Sequence, residues 1–178
     1  MNAIKERKIV YTSGQIAERV RAMAAEIDAF YGDEPLVAVC VLKGAVFFFT
    51  DLVRAMRSEN LDLDFVRLSS YGKGTSSSRH VVFSKDVDCD ITGKHVLIVE
   101  DIIDSGRTLS YLLENLKTRN PKTLRLCTLL DKPDRRVVDV NVDYVGFVIP
   151  DEFVVGYGLD YDQKYRNLPY IGFVEIEE

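Results

Sequence analysis

A chain of 178 residues, 47% apolar and 29% charged, suits a single globular domain over residues 1–178, long enough to bury about 70% of its unfolded surface. A net charge of -5 argues against a dedicated nucleic-acid binder, and no membrane span is expected, because MNAIKERKIV has no apolar core and the run at 36–42 is broken by Lys43. A cytoplasmic setting follows as the default: Cys40, Cys89 and Cys127 are scattered and read as reduced residues, and His80 and His95 lack the spacing of metal ligands.

In chain order, Thr12 to Gln15 has the form of a capping box, and Ile16, Val20, Met23, Ala24 and Ile27 make a helical apolar stripe that ends near Gly32. Residues 36–42, LVAVCVL, read as a buried strand. Lys43-Gly44 follows at its carboxyl end, where such a pair is usually a turn but can also contact a polyanion. A helix is expected over 45 to about 57, and residues 61–68 alternate as a half-exposed strand would. Residues 71–78, YGKGTSSS, carry no packing residue after the tyrosine and are expected to be a mobile loop, with a strand at 81–84.

The segment VLIVEDIIDSGRTL at 96–109 carries the most chemistry. Its four-residue apolar run is too short for a helix and fits a strand buried on both faces of a parallel sheet. Ligands bind off the carboxyl ends of such strands. Glu100 and Asp101, acting as paired acceptors, suit the adjacent hydroxyls of a ribose. From Asp104 through Ser105, Gly106, Arg107 and Thr108 the loop offers backbone N–H groups, two hydroxyls and a guanidinium. Gly106 can turn left-handed cheaply, and the helix striped by Leu109, Leu112, Leu113 and Leu116 presents its N-terminus to a phosphate until Asn120-Pro121 stops it. Diol acceptors beside a phosphate cradle imply a ribose 5-phosphate. Asp104, a carboxylate close to that phosphate, is the candidate general base. The plainer alternative is an ordinary strand-to-helix turn whose acids complement a helix dipole. Further strands are expected at 123–130 and 144–149, completing an α/β fold with a central, mostly parallel sheet flanked by helices.

EDIIDSGRTL resembles the phosphoribosyl pyrophosphate motif of type I phosphoribosyltransferases, most closely the bacterial hypoxanthine-guanine branch. The likeness extends, in the family's order, to Leu42-Lys43-Gly44, Ser69-Ser70-Tyr71-Gly72, LLDKPDRR at 129–136 and IPDEFVVGYGLDYDQKYRN at 149–167. The resemblance implies a type I phosphoribosyltransferase fold, with a small purine-binding hood from about 150–178. It implies a pyrophosphate loop at Lys43 and Gly44, often marked by a non-proline cis peptide, with Arg166 as a bidentate partner. It makes Ser70 and Tyr71 part of a loop that folds over the site. It gives Lys132 to a purine carbonyl, Phe153 to stacking, the Val154 backbone to the base edge, and Asp160 to the purine side and, with Glu100 and Asp101, to magnesium. Phosphoribosyl pyrophosphate and a purine base would be the partners, in a homo-oligomer, dimer or tetramer. Read in isolation, Lys132 is a solvated lysine and Phe153 a core residue.

The implied reaction transfers the phosphoribosyl group to purine N9, giving IMP or GMP in purine salvage. Competing readings are a phosphoribosyl pyrophosphate sensor without catalysis, a xanthine-preferring or pyrimidine relative, and a dinucleotide oxidoreductase. The last lacks any G-x-G-x-x-G after a strand, and no P-loop motif occurs.

Overall fold

The structure is a computed structural model that describes residues 4–71 and 80–176. Helix α1 (Ser13–Tyr31) starts where the capping box requires: Thr12 Oγ1 accepts from the Gln15 N–H at 3.3 Å, and Gln15 Oε1 accepts from the Thr12 N–H at 2.9 Å. Loss of such a cap typically costs about 1 kcal/mol. The five predicted stripe residues of α1 are buried, joined by Tyr31, and Gly32 closes the helix at φ 57°.

Strand β2 (Leu36–Val41) is buried throughout, and α2 (Val46–Ala55) lies inside the predicted 45–57. Strand β3 (Leu61–Tyr71) runs further than its alternation indicated, pairing antiparallel with β4 (His80–Lys85). Ser70 and Tyr71 therefore end a strand rather than open a loop; their side chains and residues 72–79 lie outside the described residues. Strand β5 (His95–Ile103) continues past the apolar run to include Glu100 and Asp101, and leads through a short loop into α3 (Arg107–Lys117). Strands β6 (Thr123–Asp131) and β7 (Tyr144–Val148) follow as predicted, with an unforeseen 3-10 turn at Pro133–Arg135 between them.

Among the described residues the main sheet runs β4-β3-β2-β5-β6-β7, antiparallel only at β3–β4. Its central strands divide their side chains between two cores. Leu36, Ala38, Cys40, Leu97 and Val99 pack under α1 and α2, while Val37, Val39, Val96 and Ile98 pack under α3. Full burial of each such aliphatic side chain is worth about 1.5–3 kcal/mol, and burial on both faces is why these strands read as unbroken apolar runs. Cys40 and Cys127 are buried and all three cysteines are free. His95 is structural, with Nδ1 2.7 Å from Thr123 Oγ1.

A second, antiparallel sheet has the order β1-β9-β8, built from β1 (Ile4–Tyr11), β8 (Val154–Val155) and β9 (Ile171–Ile176). The C-terminal segment expected to contribute to the hood supplies β8 and β9, and β1 joins them by pairing with β9. The Tyr157 hydroxyl, donating to Asp51 Oδ2 at 2.6 Å, ties this part of the chain to α2.

Candidate active site

The carboxyl end of β5 brings two acids into a crowded, dry place. Glu100 is buried, and its Oε1 accepts from the Asp101 N–H at 2.9 Å; Asp101 Oδ1 accepts from the Ile102 N–H at 2.7 Å. Burial, then the Asp101 charge, pushes the Glu100 carboxyl well above the usual carboxylate range. Burial also raises Asp101, opposed partly by its hydrogen bonds and by the Arg166 charge. Two like charges held together in a low-dielectric pocket bind protons or cations readily. In the free protein Glu100 thus holds a proton to higher pH than an ordinary carboxyl.

Beyond Asp101 the chain turns at Gly106, the N-cap of α3, which has φ 80° and no side-chain cap hydrogen bond. The first-turn N–H groups of α3 are left for a ligand. A side chain at Gly106 would come within 2.6 Å of the Val138 carbonyl oxygen. The segment after β6 braces this loop, as Val137 and Val138 N–H donate to the Ser105 carbonyl at 3.0 and 3.1 Å and Arg136 Nε donates to the Asp104 carbonyl at 3.2 Å. Arg136 is itself anchored on Asp131. Glu100, Asp101, Asp104, Ser105, Gly106 and Thr108 line one cavity of about 210 Å³. Arg107 is not among its lining residues, and its side chain is exposed.

A larger cavity of about 480 Å³ opens beside the first and shares Asp101, Ile102 and Asp104 with it. Its other walls are Lys132, Arg135, Asp151, Phe153, Val154, Leu159 and Asp160. Lys132 is 8% exposed, hence no solvated lysine, and Phe153 is 43% exposed, hence no core residue. The Phe153 ring stands edge-on to Tyr161 at 5.7 Å. The Phe153 carbonyl accepts from the Val174 N–H at 2.9 Å. Antiparallel strands alternate bonded and non-bonded pairs, so at Val154, paired with Phe173, the N–H and C=O turn away from β9. Since β8 is an edge strand, those groups are open to a ligand.

The Lys43-Gly44 loop lies against the same acids. A side chain at Gly44 would overlap the Asp101 carboxylate, and one at Gly158 (φ 105°) would overlap the Gly44 carbonyl. The cis peptide is Leu42-Lys43, one bond before Lys43-Gly44. Lys43 Nζ donates to Gln163 Oε1 at 3.2 Å. Arg166 donates to the Gly158 carbonyl at 2.6 Å and pairs with Asp160 Oδ1 at 2.7 Å, while Asp160 Oδ2 accepts from the Gln163 N–H at 2.8 Å. Both Asp160 oxygens are thus engaged. Among the described residues no group of three or more His, Cys, Asp or Glu is arranged around a metal position.

Glu100, Asp101, Asp104–Gly106, Thr108, Lys43, Gly44, Lys132, Phe153, Val154, Asp160 and Arg166 therefore converge, from segments far apart in sequence, on two adjoining cavities and their rim, whereas the Arg107 side chain does not. Sequence reasoning missed Arg135, Asp151, Gly158 and Gln163. The first two lie in LLDKPDRR and IPDEF, where only proximity to Lys132 and Phe153 could have marked them. Gln163 sits with Asp162 at positive φ in the Tyr161–Lys164 bridge, a conformation that side-chain chemistry does not announce.

The sequence matches the phosphoribosyl transferase domain family over residues 6–162. It is 52% identical over 96% of its length to a bifunctional TilS/HprT protein of Listeria innocua, of which it spans only 26%. It is 51% identical to a hypoxanthine-guanine phosphoribosyltransferase of Mycobacterium avium, covering 95% of this chain and 86% of that one. A crystal structure of a hypoxanthine-guanine phosphoribosyltransferase from Bacillus anthracis superposes with a TM-score of 0.90 at 46% identity, over 97% of this chain and all of the other.

Proposed function

The chain belongs to the phosphoribosyl transferase domain family, among its hypoxanthine-guanine relatives, and on that premise we propose that it transfers the 5-phosphoribosyl group of phosphoribosyl pyrophosphate to N9 of hypoxanthine or guanine. The products are IMP or GMP and pyrophosphate, a purine-salvage reaction. One observation carries this reading: the smaller, amide-lined cavity and the larger, aromatic-edged one share Asp101 and Asp104, so a sugar phosphate and a base meet at one carbon.

In this reading the 5-phosphate rests on the N–H groups and hydroxyls of Ser105–Thr108, and the diol faces Glu100 and Asp101. The pyrophosphate lies toward Lys43, Gly44 and Arg166. The purine occupies the larger cavity, stacked on Phe153, with Lys132 donating to O6 and the open Val154 backbone meeting the base edge. The C1–O bond to pyrophosphate breaks and the C1–N9 bond forms through an oxocarbenium-like transition state. Asp104 takes or anchors the proton on N7, and the cationic groups stabilise charge on the leaving pyrophosphate.

Magnesium fits the residues present. The acids offer only oxygen ligands, and the raised proton affinity of Glu100 marks a place short of positive charge. Glu100 and Asp101 would hold the ion with oxygens of the donor, and Asp160, whose engaged oxygens keep spare lone pairs, would reach it through water. Bound there, the ion supplies charge neutralisation at the pyrophosphate. Three free cysteines support a reducing, cytoplasmic compartment; separately, no helix among the described residues is long and apolar enough to cross a membrane. A homo-oligomer, dimer or tetramer, is carried over from the family resemblance.

The test is a spectrophotometric assay with phosphoribosyl pyrophosphate, magnesium and each of hypoxanthine, guanine, xanthine and uracil. Hypoxanthine or guanine should react, and Asp104→Asn should lower kcat about 10²–10⁴-fold with little change in KM. A protein that binds the donor but transfers it to no base would be a sensor instead, and one that prefers xanthine would belong to the competing branch.

A further inference from the structure

Two residues with no role in the reaction as described, Arg135 and Asp151, join two that have one. Arg135 Nε donates to Asp104 Oδ1 at 2.9 Å, and its Nη1 reaches Asp151 Oδ2 at 3.4 Å. Asp151 Oδ1 stands 3.9 Å from Lys132 Nζ. The result is a chain of alternating charge, Asp104–Arg135–Asp151–Lys132, along a wall of the larger cavity, which all four residues line.

We propose that Arg135 is a positioning residue for phosphoribosyl transfer: by bridging Asp104 to Asp151 it fixes the candidate base opposite purine N7 and links that placement to Lys132 at O6. This deepens the purine-transfer reading and rests on it. Asp104 is a half-exposed side chain on a loop, and without a brace its carboxylate samples several rotamers. Arg135 holds Oδ1, while Oδ2 has no hydrogen bond among the described residues and is left for the base. A phosphate bound at Ser105–Thr108 repels the neighbouring Asp104 carboxylate, and the adjacent guanidinium offsets that repulsion.

Stability does not explain the contact. The side chains of Arg135 and Asp104 are 52% and 48% exposed, a setting in which ion pairs contribute little to folding. The loop backbone is already held by Arg136 on the Asp104 carbonyl and by the Val137 and Val138 N–H groups on Ser105. The two arginines divide the work, with Arg136 fixing the main chain and Arg135 the side chain. Two distinct edges of one planar guanidinium make the bridge, a geometry a lysine cannot copy.

The test compares steady-state kinetics of the wild type, Arg135→Met, Asp104→Asn and the double variant on hypoxanthine and phosphoribosyl pyrophosphate, with thermal unfolding alongside. Arg135→Met should lower kcat about tenfold or more, leave KM for the donor within about twofold, and leave the unfolding midpoint unchanged. Because Arg135 acts through Asp104, adding its change to Asp104→Asn should cost little more. An unchanged kcat in Arg135→Met, or a loss that multiplies in full onto that of Asp104→Asn, overturns the assignment. The wild-type rate in the same assay keeps the two claims apart, since absence of transfer there refutes the function and not the bridge.

Discussion

Gly44→Ala puts the geometry of the donor site to a quantitative test. A β-carbon at position 44 falls 2.5 Å from Asp101 Cγ and overlaps the carboxylate. Carbon atoms in contact settle at about 3.5–4.0 Å, so the two groups must part by at least about 1 Å. The Asp101 carboxylate is the end of a short side chain and can rotate away, giving up its hydrogen bond from the Ile102 N–H. The loop is less able to retreat, because Gly158 packs on the Gly44 carbonyl from the other side. Overpacking of this kind costs about 1–3 kcal/mol in stability, and relief through Asp101 sets the lower end, or about 2–4 °C in Tm. Function should suffer more. A misplacement of about 1 Å can cost 10²-fold in rate, near 2.7 kcal/mol of barrier, and here it strikes both the proposed diol acceptor and the proposed pyrophosphate loop. The measurement is kcat/KM for phosphoribosyl pyrophosphate beside a thermal melt. A folded Gly44→Ala protein with a wild-type kcat/KM for the donor would show that Asp101 does not work in the position described.

Phe153→Ala should raise KM for the purine about 5- to 150-fold, from a stacking contribution of about 1–3 kcal/mol per base, with kcat largely kept and Tm barely moved, because the ring is already 43% exposed; kinetics at varied hypoxanthine will show it. Glu100→Gln should stabilise the free protein at neutral pH while weakening donor binding. Burial and Asp101 raise the Glu100 carboxyl well above its ordinary value, so between those two values the folded chain holds a proton that the unfolded chain has lost, and stability falls as pH rises through that window. The Tm difference between variant and wild type should therefore vanish below about pH 4 and grow with pH up to the raised value; equal melting curves at neutral pH would mean that the acids are not crowded.

The elements of the main sheet were readable because each obeys a local rule. Residues 36–41 and 96–99 are buried on both faces and so are continuously apolar, and α1 announces itself by Thr12, Gln15 and a stripe whose members are all buried. The second sheet was not readable. Strand β1, IKERKIVY, is held by pairing with β9, whose partner residues are the last described in the chain, and the four consecutive charged residues at 5–8 hide it. Strand β8 is two residues long and too short for any periodicity. Element length erred where long-range pairing extends a strand beyond its apolar run, as at Ser70 and Tyr71 against Val81 and His80.

The same distinction divides the site. The residues proposed for the ribose 5-phosphate sit in one contiguous segment from the end of β5 into α3, where a strand end, a left-handed glycine and a helix start follow one another, so their chemistry is legible in order. The proposed purine side is assembled by tertiary contact from the turn after β6 and residues 151–160, and its residues look ordinary one at a time: Lys132 is surface-like until buried, Phe153 core-like until exposed. What joins the halves is close approach at two glycines, with Gly158 on the Gly44 carbonyl and Gly44 on the Asp101 carboxylate. Only glycine leaves room for this stack of Gly158 on Gly44 and Gly44 on Asp101, and the stack sets the distance between the acids at the end of β5 and the residues of the second sheet. A substituent at either glycine should therefore disturb donor and purine binding together, whereas Phe153→Ala, outside the stack, should disturb the purine alone.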